Sequence, residues 1–329
     1  MKCFRQRTLS SRTMSQRFLI SRLSALGDVV CSLPVAVALK RSFPESEITW
    51  VVDQRFSAVV ECCGSVARVV RVNRKGPSPE LDALKGQSFD IAFDIQGLLK
   101  SAVVLSKVKA ARKLGYHWQR EGASLFSQRV IPDGSSLHVV DQYVDVARAA
   151  GAEMDRAEFE PVPQEGALAS VREALQSIHV DPARCKLVLL NAGAGWASKR
   201  WPPSAFSTLC KLLKDAECQA VFIGSGSADQ LAFDEIALAS PKPPQSLIGM
   251  TSVAELIALV SIASAHVGGD TGSSHIAAAL QVPAIGLYSR TRPERSCPYG
   301  QIERCHYDPE FMSNIHPEAV AESVLEAIR

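Results

Sequence analysis

The sequence predicts an α/β protein of two doubly wound domains, each a parallel sheet with helices on both faces, set across a cleft. Three observations carry this. Short apolar runs alternate with longer amphipathic ones along the 329 residues. The alternation pauses at an acidic stretch, 151–166, that holds Pro161 and Pro163, and then it restarts. Several strand-to-helix turns are built from glycine and small polar residues. Alternation of this kind is the signature of parallel sheets with crossover helices, and the length suits two domains, each with its own core.

In the first half, Phe18-Leu-Ile opens a strand that ends near Leu23, and 29–41 reads as the helix that follows. Apolar runs at 48–52, 69–72 and 89–95 are too short for helices and read as the next strands. Helices are expected at 56–63, 101–109 and 139–150, with a strand at 111–115. In the second half, Leu187-Val-Leu-Leu-Asn is a strand that enters a Gly-Ala-Gly turn, and 205–215 is a helix. A strand at 220–223 leads through Gly224-Ser-Gly226 to a helix ending at Ala239. A helix at 253–261, a strand at 265–268, a helix after Asp270 and a strand at 284–288 complete the pattern. The domains are drawn at 18–160 and 161–316. Residues 1–17 are a basic tail expected to be disordered, or in part to lie upstream of a start at Met14.

Composition removes several classes. No apolar run approaches the roughly 18 residues of a spanning helix, and the basic start lacks the apolar centre of a signal peptide. The nine cysteines are scattered and include no Cys-x-x-Cys, which argues for reduced thiols in a cytoplasm and against structural zinc. No histidine pair has metal-ligand spacing, so no metal is expected. Residues 1–150 carry 22 Lys/Arg against 13 Asp/Glu, and 151–329 carry 14 against 21. That asymmetry suggests that the first half meets an anion, with solvated surface charge as the alternative. Few aromatics and no binding motif make nucleic acid a poor partner.

Four turns could carry chemistry. Asp28 follows Gly27 at the first strand-to-helix turn, where it is either a helix cap or a general base facing the positive end of the helix. Asn191-Ala-Gly193-Ala-Gly195 leads to Lys199-Arg-Trp-Pro, a plausible diphosphate clamp in which Lys199 would neutralise a leaving group. Gly224-Ser-Gly226 lacks the third glycine of a dinucleotide fingerprint, so no NAD site is expected. Asp270, Thr271, Gly272, Ser273, Ser274 and His275 crowd a glycine-rich helix start, a natural anion site whose first residues could equally be plain caps. Asp94-Ile-Gln-Gly-Leu-Leu-Lys100-Ser, Arg120-Glu and His138 lie in later loops of the first half, beside a basic cluster that includes Arg74 and Lys75.

Taken together, Ser24-Ala-Leu-Gly-Asp28, Asp94-Ile-Gln-Gly-Leu-Leu-Lys-Ser, Arg120-Glu-Gly-Ala-Ser-Leu-Phe, Lys199-Arg-Trp-Pro and Asp270-Thr-Gly-Ser-Ser-His resemble the ADP-heptose:lipopolysaccharide heptosyltransferases (glycosyltransferase family 9). The resemblance runs from about Phe18 to the C-terminus and is nearest to heptosyltransferase I. It implies a GT-B fold of two Rossmann-like domains and an inverting, metal-independent transfer of heptose from ADP-heptose to the Kdo of the lipopolysaccharide inner core. ADP-heptose would be a co-substrate, with no cofactor.

By the same resemblance Asp28 matches the base. Gly27, Gly193, Gly195, Lys199, Gly224, Ser225, Met250 and the turn from Asp270 to His275 fall on the donor side. Ser24, Arg74, Lys75, Lys100, Arg120 and His138 fall on the acceptor side. The last helix, 317–329, would cross back to the first domain. The acceptor would be an anionic, lipid-anchored saccharide, which places the enzyme in the cytoplasm at the inner face of the membrane, in transient contact with it. Two departures stand out: Ser273, where the family often has Leu or Met, and a stretch before Lys199 nearer the type II pattern. Other readings are a different GT-B reaction, such as epimerisation or transfer to another surface glycan, and a silent nucleotide-sugar-binding module.

Overall fold

The computed structural model describes residues 15–193 and 200–329. The expectation for the basic tail therefore falls largely outside the described residues, as do Gly195 and Lys199.

The first sheet holds β1 (Arg17–Ser21), β2 (Glu47–Asp53), β3 (Arg68–Val72), β4 (Ser88–Asp94), β5 (Lys109–Tyr116) and β6 (Gln128–Val130). All its pairings are parallel, in the order β3-β2-β1-β4-β5-β6. Its helices are α1 (Leu26–Ser42), α2 (Ser57–Glu61), α3 (Pro79–Asp82), α4 (Leu99–Ser106) and α5 (Val139–Arg148). β1 is central, with Phe18 paired to Ile48 on one side and Ile91 on the other. Strands covered on both faces need no polar alternation, which is why β2 is buried from Ile48 to Asp53.

The second sheet holds β7 (Lys186–Asn191), β8 (Cys218–Phe222), β9 (Gln245–Ser246), β10 (Ala265–Gly268), β11 (Ala284–Ser289) and β12 (Cys305–Asp308). It too is wholly parallel, in the order β12-β11-β10-β7-β8-β9. Around it lie α6 (Glu165–Ser177), α7 (Pro203–Asp215), α8 (Ser227–Ala239), α9 (Val253–Ser261), α10 (Gly272–Ala279) and α11 (Pro317–Ala327). Counted from its first strand, each sheet runs 3-2-1-4-5-6, so the two domains share one topology. This is the GT-B arrangement of two doubly wound domains. No helix among the described residues is long and apolar enough to cross a membrane.

α1 explains how the halves are joined. Every residue from Val29 to Leu39 is buried, so the helix is covered on all sides. It lies between its own sheet and the second domain, packed on α10, while α2 packs on α9. One apolar core therefore continues from Phe18 and Trp50 through Leu33 and Val37 to Ile276 and Leu189. The crossing of α1 and α10 is close enough to need glycine on both helices. A Cβ on Gly27 would lie 2.7 Å from His275 Cδ2, and one on Gly272 would lie 2.6 Å from Leu26 Cδ2.

The structure differs from the sequence-based expectation at several elements. β6 and β12 were not anticipated, because short edge strands such as Cys305-His-Tyr-Asp carry no apolar run. α6 buries only Val171 and Leu175 fully, with Ala167, Leu168 and Ala174 partly covered, and its polar surface hid it. The last helix does not cross back to the first domain. In α11, Val320, Ala321 and Val324 share a core with Leu209 and Leu213 of α7, so its apolar stripe is used up on the second domain. Trp201 Nε1–H donates to Ile315 O at 2.9 Å and fastens the turn that precedes it.

Gly27→Ala is expected to force α1 and α10 apart and to cost about 1–3 kcal/mol, the usual penalty of overpacking. A thermal melt should show the midpoint fall by several degrees. An unchanged midpoint would mean the crossing has room for a methyl group.

Candidate active site

Because the two sheets share one strand order, each has its topological switch point between its first and fourth strands. Crevices at the carboxyl ends of such strands are where open α/β sheets bind ligands. The turns after β1 and β4, and those after β7 and β10, hold most of the residues singled out from the sequence. The α1–α10 crossing brings the two sets together.

Asp28 stands in the first turn of α1 with its side chain half exposed. Arg22, at the end of β1, is buried and reaches Asp28 Oδ1 from beneath at 2.8 Å. The guanidinium also donates to Ile95 O at 2.7 Å and to the Tyr143 hydroxyl at 2.9 Å, over whose ring it sits. Burial opposes its charge, but Tyr143 and Asp28 outweigh that and raise its pKa. Asp28 Oδ2 accepts only a longer bond from Ala25 N–H, at 3.2 Å. One carboxylate oxygen is thus anchored from inside the protein, while the side chain stays half exposed. Sequence reasoning missed Arg22, whose only mark was a lone arginine after an apolar strand.

Lys100 and Ser24 do meet, for Lys100 Nζ donates to Ser24 Oγ at 2.9 Å. Burial, together with the charges of Arg74 and Arg22, pulls the Lys100 pKa below the ordinary lysine value. Arg74 is therefore brought to the same side, on the loop after β3. Lys75 follows it with an exposed side chain and its backbone N–H bonded to Asn73 Oδ1. The turn after β4 is fixed by Asp94 Oδ1, which accepts from the N–H groups of Gln96 and Gly97. Gly97 has φ +69°, and a Cβ there would strike Trp118 O at 2.5 Å. Arg120 N–H donates to Gly97 O, and its guanidinium lies 4.7 Å from the centre of the Trp118 ring.

His138 is placed differently from expectation. It caps α5, where Nδ1 accepts from Val140 N–H at 3.2 Å and Nε2 lies 2.9 Å from Cys297 O. Both ring nitrogens are used, the second in a contact between domains, so none is left for an acceptor.

On the other side, a cavity of about 330 Å³ is bounded by Leu26, Asn191, Gly193, Gly224, Ser225, Asp229, Thr251, Ser252, Thr271, Gly272 and Ser273, among others. Gly193, Gly224, Ser225, Thr271, Gly272 and Ser273, drawn from three separate turns, thus line one cavity. Met250 lies beside the cavity but does not line it; the next residues, Thr251 and Ser252, do. Asp229, which sequence reasoning missed, accepts from Ser225 N–H and stands against Gly193 and Gly224. Its signal was an acidic residue in the first turn of the helix after Gly224-Ser-Gly226.

The turn before α10 is held by its own side chains. Ser273 Oγ is the hub: it accepts from Asn191 Nδ2 at 2.8 Å and contacts His266 Nε2 at 2.9 Å and Thr271 Oγ1 at 3.0 Å. Burial, with His275 nearby, pushes the His266 pKa down to about 3, so the hub is neutral. Ser274 is buried and donates to Gly269 O at 2.7 Å, beneath the residues that line the cavity. His275 Nε2 lies 3.1 Å from Asp270 Oδ1, while Ser296 Oγ donates to Asp270 Oδ2 at 3.1 Å. Burial works against a charged ring here, yet Cys31 and Asp270 hold the His275 pKa well above the ordinary imidazole value. Gly27, Asp270 and His275 therefore frame the crossing rather than line the cavity. Among the described residues no group of three or more His, Cys, Asp or Glu is placed to hold a metal ion.

Removing the Asp270 charge should lower the pKa of the His275 imidazole, because a neutral neighbour no longer favours the protonated ring. Titration of Asp270→Asn by NMR reads this directly, and an unmoved His275 would remove Asp270 as its partner. The pair's contribution to stability is complete below the unfolded imidazole value of about 6.5 and is lost as pH rises through the raised folded value.

The chain is similar over most of its length to proteins already characterised by name. A lipopolysaccharide core heptosyltransferase, OpsX, of Haemophilus influenzae is 26% identical over 86% of this chain and 82% of its own. Lipopolysaccharide heptosyltransferase 1 of Escherichia coli is 28% identical over 94% of this chain and 99% of its own. Relatives named heptosyltransferase 2 and 3 match as well. A crystal structure of a family 9 glycosyltransferase from Veillonella parvula superposes with a TM-score of 0.83 at 19% identity, covering 95% of this chain and 97% of the other. Residues 81–318 match the model of glycosyltransferase family 9 (heptosyltransferase). The chain, with its paired switch points and its carboxylate at the crossing, belongs to glycosyltransferase family 9.

Proposed function

We propose that the protein transfers a heptose from ADP-heptose to the Kdo of a lipopolysaccharide inner core, with inversion at the anomeric carbon. The observation that carries the reading is that Leu26, two residues before Asp28, is also a wall of the second domain's cavity. A sugar held by its diphosphate in that cavity would lie beside Asp28. The relatives named heptosyltransferase 1 and OpsX support heptose as the sugar and lipopolysaccharide as the acceptor.

In this reading ADP occupies the cavity between the turns after β7 and β10. The backbone N–H groups at the start of α10 and the helix dipole receive the diphosphate charge that develops as the sugar–phosphate bond breaks. Asp229 is placed to accept from hydroxyl groups of the nucleotide. Lys199, outside the described residues, would add its positive charge. Asp28 takes the proton of the acceptor hydroxyl as its oxygen attacks, and Arg22 keeps the carboxylate aimed at the crevice. Donor phosphates are neutralised by backbone and cationic side chains, and no metal or cofactor is invoked. Lys100, Arg74 and Arg120 receive the anionic acceptor. The acceptor's lipid anchor brings the first domain to the cytoplasmic face of the inner membrane, where its positive charge favours an anionic surface.

Purified protein given ADP-heptose should release ADP only when a Kdo-bearing lipid A acceptor is present. Asp28→Asn should lower turnover by about 10²–10⁴, the usual worth of a general base, with ADP affinity unchanged. Release without acceptor would point to hydrolysis or epimerisation. Release only with an acceptor already carrying one heptose would move the protein to the second position of the core.

Arg22→Lys keeps the charge but loses the fork that spans Asp28, Tyr143 and Ile95. Turnover is expected to fall about tenfold at unchanged donor KM, and full activity would show that Asp28 needs no such support.

A further inference from the structure

Beyond the transfer itself, the connection between β11 and β12 carries a feature that the motifs do not account for. Its residues alternate in what they touch. Arg295 lies 4.9 Å from the centre of the Trp118 ring, Cys297 O meets His138 Nε2 at 2.9 Å, and the Tyr299 hydroxyl donates to Asp141 Oδ1 at 2.6 Å. All three contacts are with the first domain. Between them, Ser296 Oγ donates to Asp270 in the donor turn, and Ser296 O accepts from the Tyr288 hydroxyl. The segment is thus a strap tied to the first domain at two points beyond Arg295 and to the donor turn beside it. Arg295 is delivered by that strap to the acceptor side.

Trp118 already carries Arg120 at 4.7 Å from its ring centre. One indole face attracts a cation, but two guanidiniums on one ring repel each other. Among the described residues neither arginine has a carboxylate within salt-bridge distance. Glu121, the adjacent carboxylate, accepts from Leu99 N–H instead. Two forked cations without a counter-ion, from opposite domains, make a seat for a planar anion.

We infer that Arg120 and Arg295 form a clamp, closed across the two domains on Trp118, that takes the carboxylate of the acceptor sugar. The inference rests on the acceptor reading above and adds to it a specificity residue from the donor domain. It makes acceptor binding depend on the relative placement of the two domains, because each supplies half of the clamp.

The test titrates the full chain, with ADP present, with free Kdo and with its methyl ester by isothermal calorimetry, and repeats transfer kinetics with the lipid acceptor. In Arg295→Gln the Kd for Kdo should rise at least tenfold, while ADP affinity changes less than twofold. The methyl ester should bind wild type weakly and Arg295→Gln no worse. Acceptor KM should rise in step with kcat changing less than threefold, and Arg295→Lys should recover only part of the loss. Because both arginines hold one carboxylate, Arg120→Gln with Arg295→Gln should cost less than the product of the two. Unchanged Kdo affinity, or equal losses for Kdo and ester, would overturn the clamp. Normal transfer with unchanged acceptor KM would remove the clamp and keep the transferase reading. Kdo binding that needs Arg295, in a wild type that transfers nothing to Kdo, would keep the clamp and remove that reading. A wild type that neither binds Kdo nor transfers would remove both.

Discussion

The close crossing of α1 and α10 is the constraint on which the rest of this protein depends. Gly27 and Gly272 allow two helix starts from different domains to touch, one against His275 and the other against Leu26. The same contact buries α1 on all sides and joins the apolar cores of both sheets into one. It also sets two switch points face to face. A carboxylate in the first turn of one helix is thereby placed beside a cavity built by the start of the other. An interface this apolar is more than a hinge between separate bodies, because parting the helices would expose core.

Electrostatics follow from that placement. The buried charge of Arg22 is tolerated because it is shared among Asp28, the Tyr143 hydroxyl and a backbone carbonyl. Around the turn before α10 the opposite device operates: His266, Ser273 and Asn191 form a neutral buried network under the turn, and charge is confined to Asp270 and His275 at its edge. Ser273, which departs from the apolar residue common in the family, is accounted for by that network. A hydroxyl there has a buried histidine and an asparagine to satisfy, and Leu or Met would leave both without it. Cations of the first domain gather in two places, with Arg74 and Arg22 adding to burial in lowering the pKa of Lys100, and Arg120 sharing the Trp118 ring with Arg295 of the second domain.

Much of this was legible beforehand. The α/β alternation located β1, β2, β4, β7, β8, β10 and β11, because fully covered strands must be apolar. Glycine-rich turns pointed to Asp28, Gly193, Gly224 and the Asp270 segment, because ligands approach backbone where side chains are absent. What stayed hidden had weak local signals. β6 and β12 are short edge strands, α6 buries two residues, and His138 looked like a loop histidine until its ring was found capping α5 and reaching Cys297. Ser274 and His275 sit in the right turn, but side-chain direction, which no spacing rule fixes, decided which residue lines the cavity and which supports it.

The sequence by itself determined the fold class, the division into two domains and the glycine-rich turns between strand and helix, because those depend on local periodicity and on residue types with few alternatives. Only the tertiary structure decided what lies across from what. That Arg22 grips Asp28, that Asp229 stands in the cavity, that α11 stays on the second domain, and that Arg295 comes to Trp118 are all contacts between residues distant along the chain. Such contacts are set by how apolar surfaces of α1, α10 and the two sheets fit together. A charged or polar side chain takes its partner from that packing, and its neighbours in sequence do not reveal it.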